Sequence, residues 1–323
     1  MIERVLPDIF RIEIPLPNSP LKAVNSYVIK GEDVSLVIDT GFNRQACLDV
    51  MLAGLTELGV DLNKACFYIT HSHSDHFGLI SKLASADTVV YFNQPDGDLV
   101  RKGGAWKFFF AYAETVGFPK QDLEHMLYNH PGYKYRADKI PELTIVHDGD
   151  ELTFGEYSFQ CIHTPGHSKG HTCLYDAGKK ILFSGDHILW DITPNITCWS
   201  DIDDPLHWYL DSLNRIYELE VDVVLPGHRR AFGDHRKRIE ELKLHHKTRT
   251  DEVLSILKKG PRTGVEVAAE MTWDIDCKSW SSFPMAQKWF ATGETMAHLR
   301  HLEEMGAIFR VPGQPFVTFA LSR

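Results

Sequence analysis

The sequence has no apolar run of membrane-spanning length, no paired-cysteine motif and no excess of basic charge. A helix that crosses a bilayer needs about 20 consecutive apolar residues, and none occurs in these 323 residues. No membrane partner is therefore expected. The start of the chain, Met1 to Pro7, lacks a basic segment followed by an apolar stretch, which leaves a cytoplasmic location as the expectation. Six cysteines (Cys47, Cys66, Cys161, Cys173, Cys198 and Cys277) are scattered without any Cys-x-x-Cys. That scatter argues against a disulfide framework and a thiolate metal site, and it suits small apolar core residues. The formal net charge of −10 argues against a nucleic-acid-binding surface over the chain as a whole. The charge is uneven, because residues 236–323 carry 14 Lys+Arg against 11 Asp+Glu.

Hydrophobic residues make up 43% of the chain, which is ordinary for a globular core. The length accommodates one large domain and a small one. Alternation predicts strands at 9–14, 25–30 and 34–39, with Gly31-Glu32-Asp33 turning the last two. A helix is expected over 45–58, a strand at 66–70, helical structure from Phe77 to Leu83 and a strand at 88–92. This rhythm implies helices packed on sheets. Residues 96–140 interrupt it with an aromatic-rich insert. It reads as a helical hairpin whose rings bury against the sheet, with a few left to shape a substrate pocket or a homodimer contact. Strands resume at 143–147, 151–154, 157–163, 171–176 and 180–185, and a helix follows at 204–219.

The chemistry concentrates at His71-Ser72-His73-Ser74-Asp75-His76. It directly follows the apolar run Cys66 to Thr70. In extended chain, positions i and i+2 point the same way, so His71 and His73 can reach one ion together. Asp75 and His76 leave from a different backbone direction, which suits a second ion. Imidazole is the commonest metal ligand, and carboxylate adds a hard anionic donor. Three further strand ends offer donors: His163-Thr-Pro-Gly-His167 with His171, Gly185-Asp186-His187, and Pro226-Gly227-His228. Asp39 ends the strand Ser35 to Ile38. Its carboxylate reads either as a turn or helix cap or as a group that orients a metal-bound histidine, and the strand alone does not choose between these.

Taken together, His71-x-His73-x-Asp75-His76, His167, Asp186 and His228 resemble the metallo-β-lactamase-fold hydrolase superfamily, over about residues 9–235. Within it the likeness is to the glyoxalase II-like and β-lactamase-like protein 2 branches. The resemblance implies an α+β fold, an αβ/βα four-layer sandwich with metals at one edge. It implies two divalent ions, zinc with iron or manganese as compatible substitutes. The first would take His71, His73 and His167; the second would take Asp75, His76 and His228; Asp186 would bridge them. It also favours the orienting role for Asp39, and it leaves His163 and His171 as supporting residues and His187 outside the ligand set. Gly78 is followed by Leu79 where relatives often have a second glycine, a change of packing only. Flavodiiron relatives carry Glu where this chain has His73, which favours hydrolysis over oxygen reduction. Two such ions, about 3.5–4 Å apart, can share a water and lower its pKa towards ~7. Asp75 is then expected to be the catalytic residue that orients the nucleophile.

The expected domains are 1–235, catalytic, and 236–323. In the latter, helices are expected at 236–258, 263–271 and 290–305, with a hairpin at 307–320. Thr263 and Glu266 stand at capping-box spacing. This segment resembles a winged helix. Its third helix has few basic residues, Arg300 with His298 and His301 against Glu294, Glu303 and Glu304, so a packing or dimerisation role is favoured over nucleic-acid binding. The function expected is hydrolysis of an ester or thioester of acyl or glutathione type, on a small-molecule substrate. A metal-dependent phosphodiesterase or ribonuclease is the first alternative. A nucleic-acid-binding regulator with a structural metal site is the second. Lys102, Lys107, Lys120, Lys134 and Arg136 are candidates for holding a glutathione-type group.

Overall fold

Strand alternation is clearest in the first hairpins. In the computed structural model, which describes residues 1–103 and 106–322, β1 (Ile2–Leu6), β2 (Ile9–Pro15), β3 (Ala23–Ile29) and β4 (Leu36–Ile38) pair antiparallel in succession. Crossovers then add parallel strands. α1 (Gln45–Glu57) leads to β5 (Cys66–Tyr68), and α2 (Ser74–Phe77) and α3 (Ile80–Leu83) lead to β6 (Val90–Asn93). After α4 (Gln94–Arg101), α5 (Trp106–Thr115), α6 (Lys120–Asn129) and α7 (Pro131–Lys134), β7 (Thr144–Val146) completes a sheet of seven strands among the described residues, in sequence order. A second sheet, ordered β12-β11-β10-β9-β8, comprises β8 (Glu151–Phe154), β9 (Tyr157–His163), β10 (Thr172–Asp176), β11 (Ile181–Gly185) and β12 (Val223–Pro226). α8 (Pro205–Tyr217) lies in the crossover to β12, which pairs parallel with β11.

The side chains of β3 show why the sheets stack. Tyr27 and Ile29 point into a core shared with Phe159, Phe183 and Leu225 of the second sheet. Val24 and Val28 point the other way, into a core with Met51 and Leu55 of α1. A sheet covered on both faces needs near-continuous apolar strands, and the αβ/βα four-layer sandwich follows. β1 went unanticipated because its adjacent Glu3 and Arg4 break the alternation, and its pairing with β2 shifts register between Arg4 and Leu6.

The chain folds as two compact units. The first holds the chain up to residue 103 with Pro131–Pro194 and Ser212–Ile239; the second holds residues 106–130, Asn195–Asp211 and the chain from Glu240. In the second unit Trp199 stacks on Trp289 with ring centroids 3.8 Å apart, and Phe110 and Phe118 meet Trp289 edge-on at 5.7 Å each. These insert rings therefore bury against a helix rather than against the sheet. A stacked indole pair offers apolar area that these two rings cover, whereas Tyr135 of the same insert packs on the core of the first sheet, 4.9 Å from Phe42. Phe108 and Tyr128 remain exposed.

After α9 (His235–Leu257) come β13 (Arg262–Thr263), α10 (Gly264–Glu270), α11 (Met285–Glu304), β14 (Ile308–Arg310) and β15 (Thr318–Leu321), with a sheet ordered β13-β15-β14. α11 begins five residues earlier than expected, with Pro284 at its N-cap position and no side-chain capping bond, because good helix formers follow. The capping box forms: Glu266 N–H donates to Thr263 Oγ1 and Thr263 N–H to Glu266 Oε2, at 3.3 and 2.8 Å. Thr263→Ala is expected to cost about 1 kcal/mol of stability, read in denaturant unfolding at neutral pH; an unchanged midpoint would show that the cap is redundant. No helix among the described residues is long and apolar enough to cross a membrane.

Candidate metal centre

The donors gather at strand ends of the first unit. His71 and His73 follow β5, His167 follows β9, Asp186 follows β11 and His228 follows β12. Asp75 and His76 lie inside the single turn α2, for which His73, in extended conformation, is the N-cap. The helix thus starts three residues before the expected Phe77, and this turn supplies the change of backbone direction. Three groups form whose ligand atoms all lie within 4.8 Å of one another: His71, His73 and His167; His71, His76 and Asp186; and Asp75, His76 and His228. Rings of the first group stand 4.5 to 4.8 Å apart. His73 is the exposed member, so the cluster opens to solvent on its side.

Hydrogen bonds fix which nitrogen His71, His76 and His228 present. Thr70 donates its hydroxyl to Asp39 Oδ2 at 2.8 Å, so its oxygen can accept only from His71 Nδ1–H, at 3.0 Å. His71 Nε2 is then a bare lone pair, buried and with no hydrogen-bond partner among the described residues. His76 Nδ1–H donates to Asp39 Oδ2 at 2.7 Å, and His228 Nδ1–H donates to the Ala23 carbonyl at 2.7 Å. The Nε2 atoms of His76 and His228 consequently face each other at 3.3 Å. Around them lie Asp186 Oδ1, 3.5 Å from His76, and Asp75 Oδ2, 3.4 Å from His228. Asp186 Oδ2 lies 3.4 Å from His228 Nε2 and 3.6 Å from His167 Nε2. Asp186 thus sits between the two outer groups. Orienting the far ring nitrogen with a carboxylate or carbonyl is the usual partner arrangement of metal-binding histidine.

Charge at the site calls for cations. Burial alone would pull His76 and His228 down, but Asp186 above all, with Asp39 and Asp75 at His76 and Asp75 at His228, holds His76 well above the imidazole range and His228 up at about 10. Burial favours the neutral acid of Asp75, yet His76 and His228 bring it down to about 2. Asp186 is held well below the carboxylate range by the same two rings, against its burial. His71, with the other histidines about it, is kept neutral by burial first and then by His76, His73 and His167. Such a pocket is neutralised either by protons on the imidazoles or by metal ions that displace them. The donors fit divalent ions, because neutral imidazole lone pairs and ionised carboxylates converge there. The backbone also leaves room for them: a Cβ on Gly227 would come within 2.6 Å of Asp186 Oδ1 and 2.8 Å of His76 Cε1.

The remaining expected residues take supporting positions. Asp39 has φ +59, a left-handed conformation costly outside glycine. There it accepts from Thr70 N–H, Thr70 Oγ1 and His76. His171 Nε2 accepts from Asp186 N–H at 3.1 Å and its Nδ1 donates to Thr164 Oγ1 at 2.8 Å, so both nitrogens are spent holding the Asp186 loop. His163 Nε2 bonds the Lys169 carbonyl at 2.9 Å. His187 is buried, which pushes it down to about 3. The five basic candidates are exposed, and Lys134 and Arg136 lie in or just after α7, whose Pro131 carbonyl accepts from Ser74 Oγ at 3.2 Å.

Two supports were not anticipated. Asn25 Nδ2 donates to the carbonyls of Pro226 and Arg229 at 2.9 and 2.8 Å, and Tyr27 Oη also donates to Pro226 at 2.9 Å. These bonds pin the loop that carries His228. A polar residue inside the apolar strand Ala23–Ile29 was the available signal. The second support is Asp96, fully buried near the start of α4 and bonded to Ser72, Ser168 and Gly170.

The chain is 29% identical over 225 residues to the acyl-coenzyme A thioesterase MBLAC2 of Bos taurus, covering 66% of this chain and 75% of that protein. It is 24% identical over 314 residues to the probable metallo-hydrolase YqjP of Bacillus subtilis, covering 93% and 94%. The crystal structure of a metallo-beta-lactamase family protein from Thermus thermophilus superposes with a TM-score of 0.84 at 27% identity, covering 99% of this chain and 100% of that one. The family model of the Metallo-beta-lactamase superfamily matches residues 20–228, which include every donor described above. The chain belongs to the metallo-beta-lactamase superfamily and is a metal-dependent hydrolase.

Proposed function

We propose that the chain is a binuclear metal hydrolase that cleaves acyl thioesters, with simple esters as secondary substrates. The observation that carries this reading is the pair of outer donor groups, His71-His73-His167 and Asp75-His76-His228, with Asp186 between them. The likeness to a protein named as an acyl-coenzyme A thioesterase favours thioesters among acyl substrates. Each outer group would hold one ion. The nitrogen and oxygen donors suit zinc, and iron or manganese is compatible. When bound, the ions would supply a Lewis acid and a water acidic enough to act at neutral pH.

The chain's own residues do the rest. Asp75, ionised at neutral pH, orients the attacking water and takes up its proton. Asp39 and the Ala23 carbonyl fix the rings of His76 and His228, and His171 holds Asp186. Exposed His73 marks the side from which substrate arrives. Residues 236–323 serve as a winged-helix-like scaffold. In α11, Arg300 is buried and paired with Glu303 and Glu304, and His298 is buried too. Neither is presented to a phosphate backbone, which supports small-molecule substrates over nucleic acid.

The test is hydrolysis by metal-loaded protein, with and without chelator, of an acyl-coenzyme A, an acyl-glutathione, a lactone, bis-p-nitrophenyl phosphate and single-stranded RNA. Chelator-sensitive thioester cleavage with inert phosphodiesters is expected. RNA cleavage with inert thioesters would overturn the proposal in favour of a ribonuclease.

A further inference from the structure

We propose that Asp96 is a positioning residue that sets the affinity of the first donor group, His71, His73 and His167, for its ion. The inference rests on the two-ion reading above. Asp96 is fully buried. A buried carboxylate is costly unless paired or hydrogen-bonded. Among the described residues no cation lies within ion-pair distance of it, and its carboxylate instead takes three hydrogen bonds. Ser72 N–H donates to Oδ2 at 2.8 Å, Ser168 Oγ–H to Oδ2 at 2.7 Å and Gly170 N–H to Oδ1 at 2.7 Å.

The identity of those donors gives the role. Ser72 lies between His71 and His73, while Ser168 and Gly170 follow His167 within three residues. One carboxylate thus clamps the two loops that carry all three imidazoles of the first group. Among the described residues it makes no bond to the turn α2, which holds Asp75 and His76, or to the loop that carries His228. The fit is close on both sides. A Cβ at Gly170 would stand 2.7 Å from Asp96 Cβ and 2.8 Å from its Cγ. The clamp also supplies charge. The first group consists of three imidazoles, whereas the second has its own carboxylate in Asp75. A fixed negative charge behind neutral ligands favours a cation in front of them.

The deciding experiment is titration of the metal-free protein with Zn²⁺ and, separately, with Co²⁺. The readouts are the number of ions bound per chain, the two affinities and the Co²⁺ absorption spectrum. Wild-type protein is expected to take two ions. Asp96→Asn removes the charge and turns an acceptor into a donor facing N–H groups. It should weaken one ion about 10–100-fold, lose one component of the Co²⁺ spectrum and leave the other ion within ~3-fold. Ser168→Ala keeps the charge and removes one bond, and it should weaken the same ion by a smaller factor. With His73→Ala already in place, Asp96→Asn should no longer change the remaining affinity. Wild-type affinities in Asp96→Asn, or equal weakening of both ions, would overturn the proposal. Should Asp96→Asn fail to fold in a melt of the metal-free protein, Ser168→Ala decides: selective weakening supports the clamp and unchanged affinities overturn it. A wild-type stoichiometry of one ion would overturn the two-ion reading itself, before any variant is made.

Discussion

Replacement of Asp75 by alanine is expected to lower kcat about 10²–10⁴-fold, the range for loss of a positioned proton acceptor, while the metal-free protein melts near its wild-type temperature. Asp75 lies in the one-turn helix α2, where alanine is at least as favourable for the backbone. Its Oδ2 is 3.4 Å from His228 Nε2 and 4.0 Å from His76 Nε2. Those imidazoles keep its carboxyl at about 2 although burial opposes ionisation. The group is therefore an anion throughout the neutral range, able to accept a hydrogen bond from the attacking water and orient it. The alanine variant should also bind the second ion more weakly, because one of its three donors is gone. Asp75→Asn separates the two effects. The amide oxygen still fills the space and can accept a bond, but the charge and the basic oxygen are lost. Full ion content with turnover still reduced at least ~10²-fold is the expected outcome for asparagine. Turnover within ~10-fold of wild type in either variant would remove Asp75 from the chemistry and leave it as a metal donor only.

The candidate centre was legible because its histidines and carboxylates are local or stand beside turn signals. His71, His73, Asp75 and His76 fall within six residues, and Pro-Gly turns precede His167 and His228. The supports follow a different rule. Asp96 is joined to Ser72, Ser168 and Gly170 across 24, 72 and 74 residues of chain. No spacing pattern in one sequence announces such a partnership, and Asp96 itself reads as an ordinary residue in the first turn of a helix. Asn25 is intermediate. Its polarity within an apolar strand marks it as a residue with a buried hydrogen bond to make, but its partners lie some 200 positions away. The insert shows the same limit at the level of packing. Its amphipathic helices could be read from periodicity, yet Phe110 and Phe118 find Trp289, more than 170 residues distant. Periodicity states that a face must be covered and is silent about which distant element covers it.

A buried histidine pair in the second unit gives the largest expected pH effect away from the metals. His246 is 2% exposed and His298 is 1% exposed. Their rings stand 5.5 Å apart, and Tyr209 meets His246 edge-on at 5.3 Å. Neither ring nitrogen of His246 has a hydrogen-bond partner among the described residues. Burial lowers its pKa to about 3, with His245, Arg249 and His301 adding repulsion. His298 is held well below the imidazole range, again by burial first and then by His246 and Arg249. An unfolded histidine titrates near ~6.5. The folded pKa of His246 is thus depressed, and the unfolded chain binds more protons between about pH 6.5 and 3. Stability from this source is fully present above ~6.5 and falls as the pH drops towards 3. At about 1.4 kcal/mol per unit for each proton, His246 alone should cost roughly 2–3 kcal/mol by pH 4.5. His246→Leu removes the titrating ring without stranding a partner, so denaturant unfolding at pH 7.5 should change by less than ~1 kcal/mol. At pH 4.5 the variant should be the more stable protein by about 2–3 kcal/mol. Metal-site histidines are present in both proteins, and the difference between the two curves reports the buried pair, His246 together with the relief its loss gives His298. Parallel curves from pH 7.5 to 4.5 would show that the ring is protonated in the folded state and that the pair is reached by water.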